Sequence, residues 1–259
     1  MKNIILSIII GCLIMTLGCK SGSGNESIKS ANTYAVVVGM ENSNFAGKCP
    51  GAVLDSTRMQ TLLSGYCTNV TWLHDATATK AAVTAALRSA IVMAGDNGLV
   101  IFYYSGHGGS NPFPDTGIEE TDGKDEYLCL YDTYLRDNEI WNIIKTCRSR
   151  FFMLSDSCHS STQFRNSGFM LIPPLSFDHT LNENQPFSML CWSGCPDEDY
   201  SYGASTGGQF TNALLRHFNN NKTYQSLWLS IKNDQTLRAY ENPQSTVLGN
   251  GFEGKLIFR

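Results

Sequence analysis

The stretch FFMLSDSCHSSTQ, residues 151–163, runs an apolar segment directly into a polar turn that carries a cysteine. Asp156 precedes Cys158 by two positions, and His159 follows it. A structural cysteine usually lies inside an apolar run rather than just beyond its end. In α/β proteins the ends of the strands display the groups that bind and react. The stretch therefore predicts a buried strand that presents Cys158 as a candidate nucleophile.

Other segments of the chain alternate between strand and helix patterns. Continuous apolar runs are typical of strands buried on both faces, and apolar residues at helical spacing are typical of helices packed on a sheet. Alternation of the two predicts an α/β fold with a mostly parallel sheet covered on both faces. The predicted strands are 34–40, 69–75, a strand running into a glycine turn over 98–109, then 126–132, 150–156, 186–194 and 254–258; the predicted helices are 51–66, 79–95, 136–147, 207–218 and 223–242.

The length and composition allow one large α/β domain or two small ones. The chain has 259 residues, of which 42% are hydrophobic and 11% aromatic, enough for a sizeable core. No internal repeat or linker divides the sequence after residue 32, which predicts a single domain over 33–259. The net charge of −4 and the scattered basic residues argue against a nucleic-acid partner.

The first residues have the pattern of an export signal. Lys2 is followed by an apolar run that is too short to span a bilayer comfortably, so residues 1–18 are expected to form a signal peptide. Gly18-Cys19 resembles a bacterial lipoprotein cleavage site, which would make Cys19 the lipid-bearing residue. The alternative is a plain signal peptide with Cys19 incidental. Residues 19–32 are rich in Ser and Gly and predict a flexible tether. We expect an exported protein anchored by lipid to a bacterial membrane, facing the periplasm or the cell surface.

Seven of the nine cysteines follow the tether. Export permits disulfides, but an odd number leaves at least one thiol unpaired, as a nucleophile must be. Six cysteines besides Cys158 can pair in 15 ways or remain buried thiols.

His107 lies at the end of a second predicted strand, in YYSGHGG (103–109). Sequential strands usually neighbour each other in a sheet, so the turns that carry His107 and Cys158 are expected to meet in one crevice. A cysteine and a histidine that are distant in sequence but adjacent in space are the minimal arrangement of a thiol protease.

These segments together resemble the metacaspase branch of the caspase-like cysteine peptidases. The resemblance covers most of residues 33–258; beyond YYSGHGG and LSDSCHSS (154–161) it includes GAVLDSTRM (51–59), ETDGKDE (120–126), RDNEI (136–140) and GGQFTNALL (207–215). It implies a caspase-like (caspase-hemoglobinase) sandwich with a six-stranded, mostly parallel sheet. It also implies a dyad of Cys158 and His107, with an oxyanion hole formed by the N–H groups of Gly108 and Cys158.

The resemblance further implies a primary pocket lined by Asp55, Ser105 and Asp156. Two inward-facing carboxylates favour Arg or Lys in the substrate, because without a cation the two charges would repel each other. A pocket specific for Asn is the alternative, and the acidic residues argue against it. Self-cleavage is a further expectation, with Arg165 in the loop 160–186 as the candidate site.

No cofactor is expected to be required, although metacaspases often need calcium. Asp122, Asp137 and Asn138 occupy the positions of calcium ligands, but Arg165 stands where a further acidic ligand is expected. Calcium prefers six to eight oxygen ligands, so the substitution weakens the site. The alternative is that the acids near residue 122 belong only to a solvated loop.

The leading hypothesis is thus a monomeric endopeptidase that cleaves peptides after Arg or Lys. Its rival is a catalytically inactive caspase-like domain that serves as a binding or scaffold module at the cell envelope. The presence of both dyad residues and both pocket acids favours the enzyme.

Overall fold

The computed structural model describes residues 30, 32–111, 125–157, 187–194 and 203–259. The helices are α1 (Ala52–Ser64), α2 (Lys80–Ala94), α3 (Asp137–Ile144), α4 (Gln209–His217), α5 (Tyr224–Lys232) and α6 (Gln235–Arg238). The strands are β1 (Thr33–Gly39), β2 (Asn69–His74), β3 (Leu99–Ser105), β4 (Gly108–Asn111), β5 (Asp125–Cys129), β6 (Tyr134–Arg136), β7 (Arg150–Asp156), β8 (Met189–Ser193), β9 (Gly203–Ala204), β10 (Gly207–Gly208) and β11 (Gln244–Leu248).

The main sheet has six strands in the order β11-β8-β7-β3-β1-β2. Neighbours from β2 to β8 pair in parallel, and β11 pairs antiparallel with β8 at the edge. The chain moves outward from β1 to β2 and then returns to β3 on the other side of β1. Ligands of open α/β sheets bind beyond the carboxyl ends of the strands at such a reversal. The predicted fold class, a mostly parallel six-stranded sheet, is confirmed.

Alternate residues of the strands point into two core halves, one on each face of the sheet. On one face, side chains such as Val36 and Phe102 pack with α2 and α3. On the other, side chains such as Val37 and Tyr103 pack with α1, α4 and α5. Because both faces are covered, β3 and β7 read as the continuous apolar runs that revealed them in the sequence.

Two predicted elements are wrong at the carboxyl end of the chain, and one strand was not predicted. Residues 254–258 do not form the closing strand: Leu256 makes a single bridge to Thr223, and the buried Ile257 and Phe258 extend the core beneath the helices. The edge strand is β11 instead, which the sequence hides because most of its side chains are polar and half-buried. The helix predicted over 223–242 is two helices, because the Asp234 carboxylate caps a new helix at the Leu237 N–H, 2.9 Å away.

A small antiparallel sheet, β4-β5-β6, and the two-residue hairpin strands β9 and β10 lie outside the main sheet. Most of this structure was not predicted, because its strands are short and rich in glycine or polar residues. Across the described parts of the chain, no helix combines the length and apolar character needed to cross a membrane.

Candidate active site

The ends of three central strands form one row at the carboxyl edge of the sheet. Ser105, the last residue of β3, lies opposite Gly39 of β1 and opposite Asp156 of β7. The Gly106 N–H donates to the Asp156 carbonyl oxygen, 3.3 Å away, and so joins the two chain segments where they leave the sheet. This row therefore places the His107 turn directly beside the end of the strand that leads to Cys158.

Helix α1 adds a second carboxylate to this row. Asp55 lies in its first turn, and α1 approaches β1 so closely that a Cβ on Gly39 would overlap Ser56. The Asp55 Oδ2 atom accepts hydrogen bonds from the Ser105 hydroxyl, 3.1 Å away, and from the Gly208 N–H, 2.7 Å away. Asp55 is only 1% exposed, and among the described residues its Oδ1 atom has no hydrogen-bond partner.

Asp156 is held by the first turn of α4. Its Oδ2 atom accepts hydrogen bonds from the Thr211 N–H at 2.8 Å and from the Thr211 hydroxyl at 2.7 Å. Asp156 is 5% exposed, so this carboxylate is also buried. We call Asp55 and Asp156 the carboxylate pair.

The two carboxyl groups of the carboxylate pair interact electrostatically. Burial first, and the neighbouring Asp156 next, raise the pKa of Asp55 from 3.8 to about 7, against the opposing effects of the Gly208 N–H, Ser105 and Arg58. Near neutral pH the Asp55 carboxyl group is therefore protonated in part of the molecules. A cation placed between Asp55 and Asp156 would favour the ionised form of both groups and release that proton.

Glycines at 207 and 208 allow the chain to pass this close to the carboxylate pair. A Cβ on Gly207 would overlap the Asp55 Oδ1 atom, and a Cβ on Gly208 would overlap the Asp156 Oδ2 atom. Gly207 also has a φ of +97°, which side chains rarely adopt. Arg58 fixes the same turn by donating to the Thr206 carbonyl oxygen at 3.1 Å and to the Asn212 side chain at 3.0 Å.

His107 lies in a rigid turn after β3. Its carbonyl oxygen accepts from the Cys129 N–H, 2.9 Å away, and lies 2.7 Å from the Tyr104 hydroxyl. Its Nε2 atom is 3.1 Å from the carbonyl oxygen of Lys48 in the loop before α1. A carbonyl only accepts, so this contact places the proton on Nε2 and leaves Nδ1 as the acceptor in the neutral ring. A Cβ on Gly106 would lie 2.6 Å from the Tyr104 hydroxyl, which explains the glycine before His107.

The structure therefore brings Asp55, Ser105 and Asp156 together and places His107 in the turn that follows Ser105. Gly108, the other predicted oxyanion donor, begins β4 immediately after His107. Cys158, Asp122, Arg165 and Cys19 lie outside the described residues, so the positions predicted for them stay predictions.

The predicted calcium ligands Asp137 and Asn138 are both buried at the start of α3. One oxygen of Asp137 already accepts the Asn138 N–H at 2.6 Å. Within the described ranges, no group of three or more His, Cys, Asp or Glu side chains could hold a metal ion. Since calcium needs six to eight oxygens, these two residues do not amount to a calcium site by themselves.

The arrangement is that of a known family. The sequence profile of the caspase domain matches residues 32–244, which is most of the chain. The chain belongs to the caspase-domain peptidase family. This membership supports a cysteine peptidase function for the caspase-domain protein.

Curated relatives of this caspase-domain protein include fungal metacaspases. Metacaspase-1A of Aspergillus niger is 24% identical over 279 aligned positions, which cover 81% of this chain and 69% of the relative. Metacaspase-1 of Emericella nidulans gives the same identity and coverage. The resemblance to metacaspases expected from the sequence is thus confirmed.

Solved structures show the same fold. A protein of Geobacter sulfurreducens, 24% identical, superposes with a TM-score of 0.65 and covers 84% of this chain and 93% of its own. Caspase-1 of Spodoptera frugiperda, 15% identical, superposes with a TM-score of 0.51 and covers 84% of this chain and 86% of its own.

Sequence reasoning missed the residues that support the carboxylate pair, namely Arg58, Tyr103, Gly208 and Thr211. The only signal for them was the paired glycine of GGQFT before a helix, which marks a close backbone approach but not its target.

Proposed function

We propose that the protein is a cysteine endopeptidase that cleaves peptide bonds after Arg or Lys. The observation that carries this proposal is the buried carboxylate pair at the edge of the sheet beside the His107 turn. A guanidinium or ammonium group is the substrate group whose charge matches two carboxylates, and Arg can bind both through paired hydrogen bonds. Asp55 and Asp156 are nearly inaccessible in this structure, so a substrate side chain can reach them only if the residues packed over them, such as Gly207 and Gly208, move.

The proposed chemistry uses Cys158 as the nucleophile and His107 as the acid and base. The thiolate is the attacking species, and an unassisted thiol is mostly protonated at neutral pH. With the Nε2 proton directed at Lys48, the Nδ1 atom of His107 is the position from which a proton is taken and later given to the leaving amine. The thiolate sulfur bonds to the carbonyl carbon of the cleaved peptide bond, and the C–N bond breaks as the leaving amine takes a proton from His107. Water then hydrolyses the resulting thioester, which releases the carboxylic acid and the free thiol. The Gly108 N–H is the proposed oxyanion donor; removing such a donor typically costs about 10²–10³ in rate.

The test uses fluorogenic peptides that differ only in the residue at the cleaved position. The purified protein should turn over the Arg and Lys peptides and leave the Asp and Asn peptides intact. Cys158→Ala and His107→Ala should abolish turnover, while Cys147→Ala, a buried thiol remote from the site, and His217→Ala should retain it. Cleavage of every peptide at equal rates, or turnover that survives Cys158→Ala, would refute the proposal.

Calcium stimulation and self-processing belong to the same proposal. If Asp122, Asp137 and Asn138 bind calcium, a chelator should lower the rate, added calcium should restore it, and Asp137→Ala should remove the response. Sequencing the amino termini of the purified fragments tests whether the chain cuts itself after Arg165; an intact active protein would show that cleavage at this site is not needed.

An inactive scaffold at the membrane remains the second candidate. A basic peptidyl chloromethyl ketone separates the two, because an enzyme should be alkylated at Cys158 and a scaffold should not. The proposed lipid on Cys19 is tested separately, by labelling cells with a palmitate analogue and comparing the protein with Cys19→Ala.

A further inference from the structure

A buried hydrogen-bond chain lies behind one member of the carboxylate pair. The Tyr103 hydroxyl is 2.7 Å from the Thr211 hydroxyl, which is 2.7 Å from the Asp156 Oδ2 atom. Tyr103 and Thr211 are both fully buried, so both contacts are shielded from bulk solvent. The chain thus joins β3, α4 and the end of β7 through side chains that belong to none of the predicted site residues except Asp156.

The hydrogen bonds in this series all donate toward Asp156. An ionised carboxylate only accepts, so the single proton of the Thr211 hydroxyl is donated to Asp156. The Thr211 oxygen must then accept from Tyr103, which therefore donates. Burial first, and the charges of Asp55 and Asp156 next, raise the pKa of Tyr103 well above its usual value, which keeps this donor protonated. The arrangement favours the ionised form of Asp156 over the protonated form.

The two carboxyl groups are consequently supported in different ways. Asp156 Oδ2 receives two hydrogen bonds from Thr211, one of them from the first turn of α4, where the helix dipole also favours negative charge. The Asp55 Oδ2 atom also accepts two hydrogen bonds, from the Ser105 hydroxyl and the Gly208 N–H, but the buried Asp55 Oδ1 atom has no hydrogen-bond partner among the described residues. When the pair holds a single proton, this difference directs the proton to Asp55 and the charge to Asp156.

We propose that Thr211 is a positioning residue of the substrate site. Its hydrogen bonds orient the Asp156 carboxylate and favour its ionised form, and Tyr103 orients the Thr211 hydroxyl by donating to it. The proposal rests on the function proposed above, in which the carboxylate pair binds a basic side chain. Ionisable groups that interact with Asp156 in the described structure include Asp55 of α1 and Tyr103 of β3, and Arg58 of α1 acts on Asp55.

The variant Thr211→Val replaces the hydroxyl with a methyl group of similar size and keeps the backbone N–H. We expect kcat/KM for the Arg peptide to fall about 10- to 100-fold, since hydrogen bonds to charged groups are among the stronger ones. The loss should appear mainly in KM, because Thr211 acts on binding and not on the reacting bond. Thr211→Ser keeps the hydroxyl and should recover activity to within about three-fold. Tyr103→Phe removes only the outer donor and should cost about two- to five-fold.

The pH profile separates positioning from a structural role. Losing a donor to a carboxylate makes it easier to protonate, so the acid limb of kcat/KM should move to higher pH in Thr211→Val and return in Thr211→Ser. A variant that only loses folded protein scales the profile without moving it. Thr33→Val is the matched control, because Thr33 is equally buried but lies at the opposite end of the sheet. Its profile should coincide with that of the parent protein.

Benzamidine binding, measured by calorimetry on the Cys158→Ala protein, supplies a readout that needs no turnover. Binding that weakens about ten-fold in Thr211→Val but not in Thr33→Val supports the positioning role even if no peptide is cleaved, in which case only the peptidase proposal fails. An active parent protein with unchanged KM, acid limb and benzamidine affinity in Thr211→Val overturns the positioning role alone. If the parent protein neither cleaves the basic peptides nor binds benzamidine, both are overturned.

Discussion

Replacing Asp55 with Asn should stabilise the protein at neutral to alkaline pH while removing its activity. The Asn side-chain oxygen can take the Oδ2 position, where it still accepts from Ser105 and from the Gly208 N–H. The charge is lost, and with it the repulsion between the two members of the carboxylate pair. The substitution therefore separates what the fold prefers from what a basic substrate requires.

The magnitude follows from the pKa of Asp55. This group titrates near 3.8 in an unfolded chain and at about 7 in the folded protein. Well below pH 3.8 it is protonated in both states, and its neutral form contributes fully to stability. As the pH rises toward 7 the unfolded chain releases its proton first, so this contribution is progressively lost. At about 1.4 kcal/mol per pH unit, the loss between pH 5 and pH 8 is roughly 2 to 3 kcal/mol.

Asn cannot ionise, so Asp55→Asn escapes this loss. We expect its melting temperature to exceed that of the parent protein by an amount that grows by about 5 to 10 °C between pH 5 and pH 8. Calorimetry at pH 5, 6, 7 and 8 measures this, with both proteins carrying Cys158→Ala to prevent self-cleavage. Asp96→Asn is the control, because Asp96 is exposed and its removal should give no pH-dependent gain.

The reasoning fails if the difference in melting temperature stays constant with pH or is largest at pH 5. Either outcome would mean that Asp55 is not an ionisable group disfavoured by burial and by Asp156. In the active background the same substitution should lower kcat/KM for the Arg peptide at least about 100-fold, since one of two charged partners is lost. Full activity would place substrate recognition elsewhere.

Three further outcomes are expected. Gly208→Ala should lower both the melting temperature and kcat/KM, because the new methyl group overlaps the Asp156 carboxylate, whereas Gly47→Ala, where nothing lies nearby, should change neither. Tyr104→Phe should destabilise the protein by about 1 to 2 kcal/mol in denaturant titrations and lower kcat, because the hydroxyl that holds the His107 carbonyl is lost. Burial opposes ionisation of Asp234, but the Leu237 N–H, Arg216 and His217 outweigh burial and lower the pKa of Asp234 to about 2. Asp234→Ala should therefore lower the free energy of unfolding by roughly 2 kcal/mol at pH 7. The difference in stability between the variant and the parent protein should vanish in thermal melts as the pH falls from 4 to 2.

The central sheet could be predicted from the sequence because strands that are buried on both faces consist largely of hydrophobic residues. Strands β3 and β7 are covered on both faces, so residues 99–104 and 151–154 are runs of hydrophobic residues that continue until the chain reaches the site. The edge strand β11 carries no such signal, and the apolar residues 256–258 were mistaken for a strand although they only fill the core. Apolar residues indicate that a segment is buried. A strand also needs a neighbouring strand whose backbone N–H and C=O groups are available for pairing, which apolar character does not indicate.

The predicted site shows the same division. Resemblance to a family identified the side chains that face the substrate in the proposed function, and these are short-range features of strand ends and helix starts. Thr211 is 55 positions from Asp156, and its partner Tyr103 is 108 positions away. A threonine in the first turn of a helix can bond to its own helix or donate to a distant carboxylate. The local pattern GGQFTNALL does not distinguish these two roles.

The supporting contacts come from far along the chain. Asp55 and Asp156 lie on α1 and β7, whereas the hydrogen-bond donors identified for them lie on other elements, namely β3 and the segment that begins α4. The first turn of α4 and the residue before the helix supply donors from outside, with the Gly208 N–H to Asp55 and the Thr211 N–H and hydroxyl to Asp156. Donors from one short segment thus reach both members of the pair. If that account is right, changes at residues 207–211 should alter substrate affinity more than changes of equal size in the core.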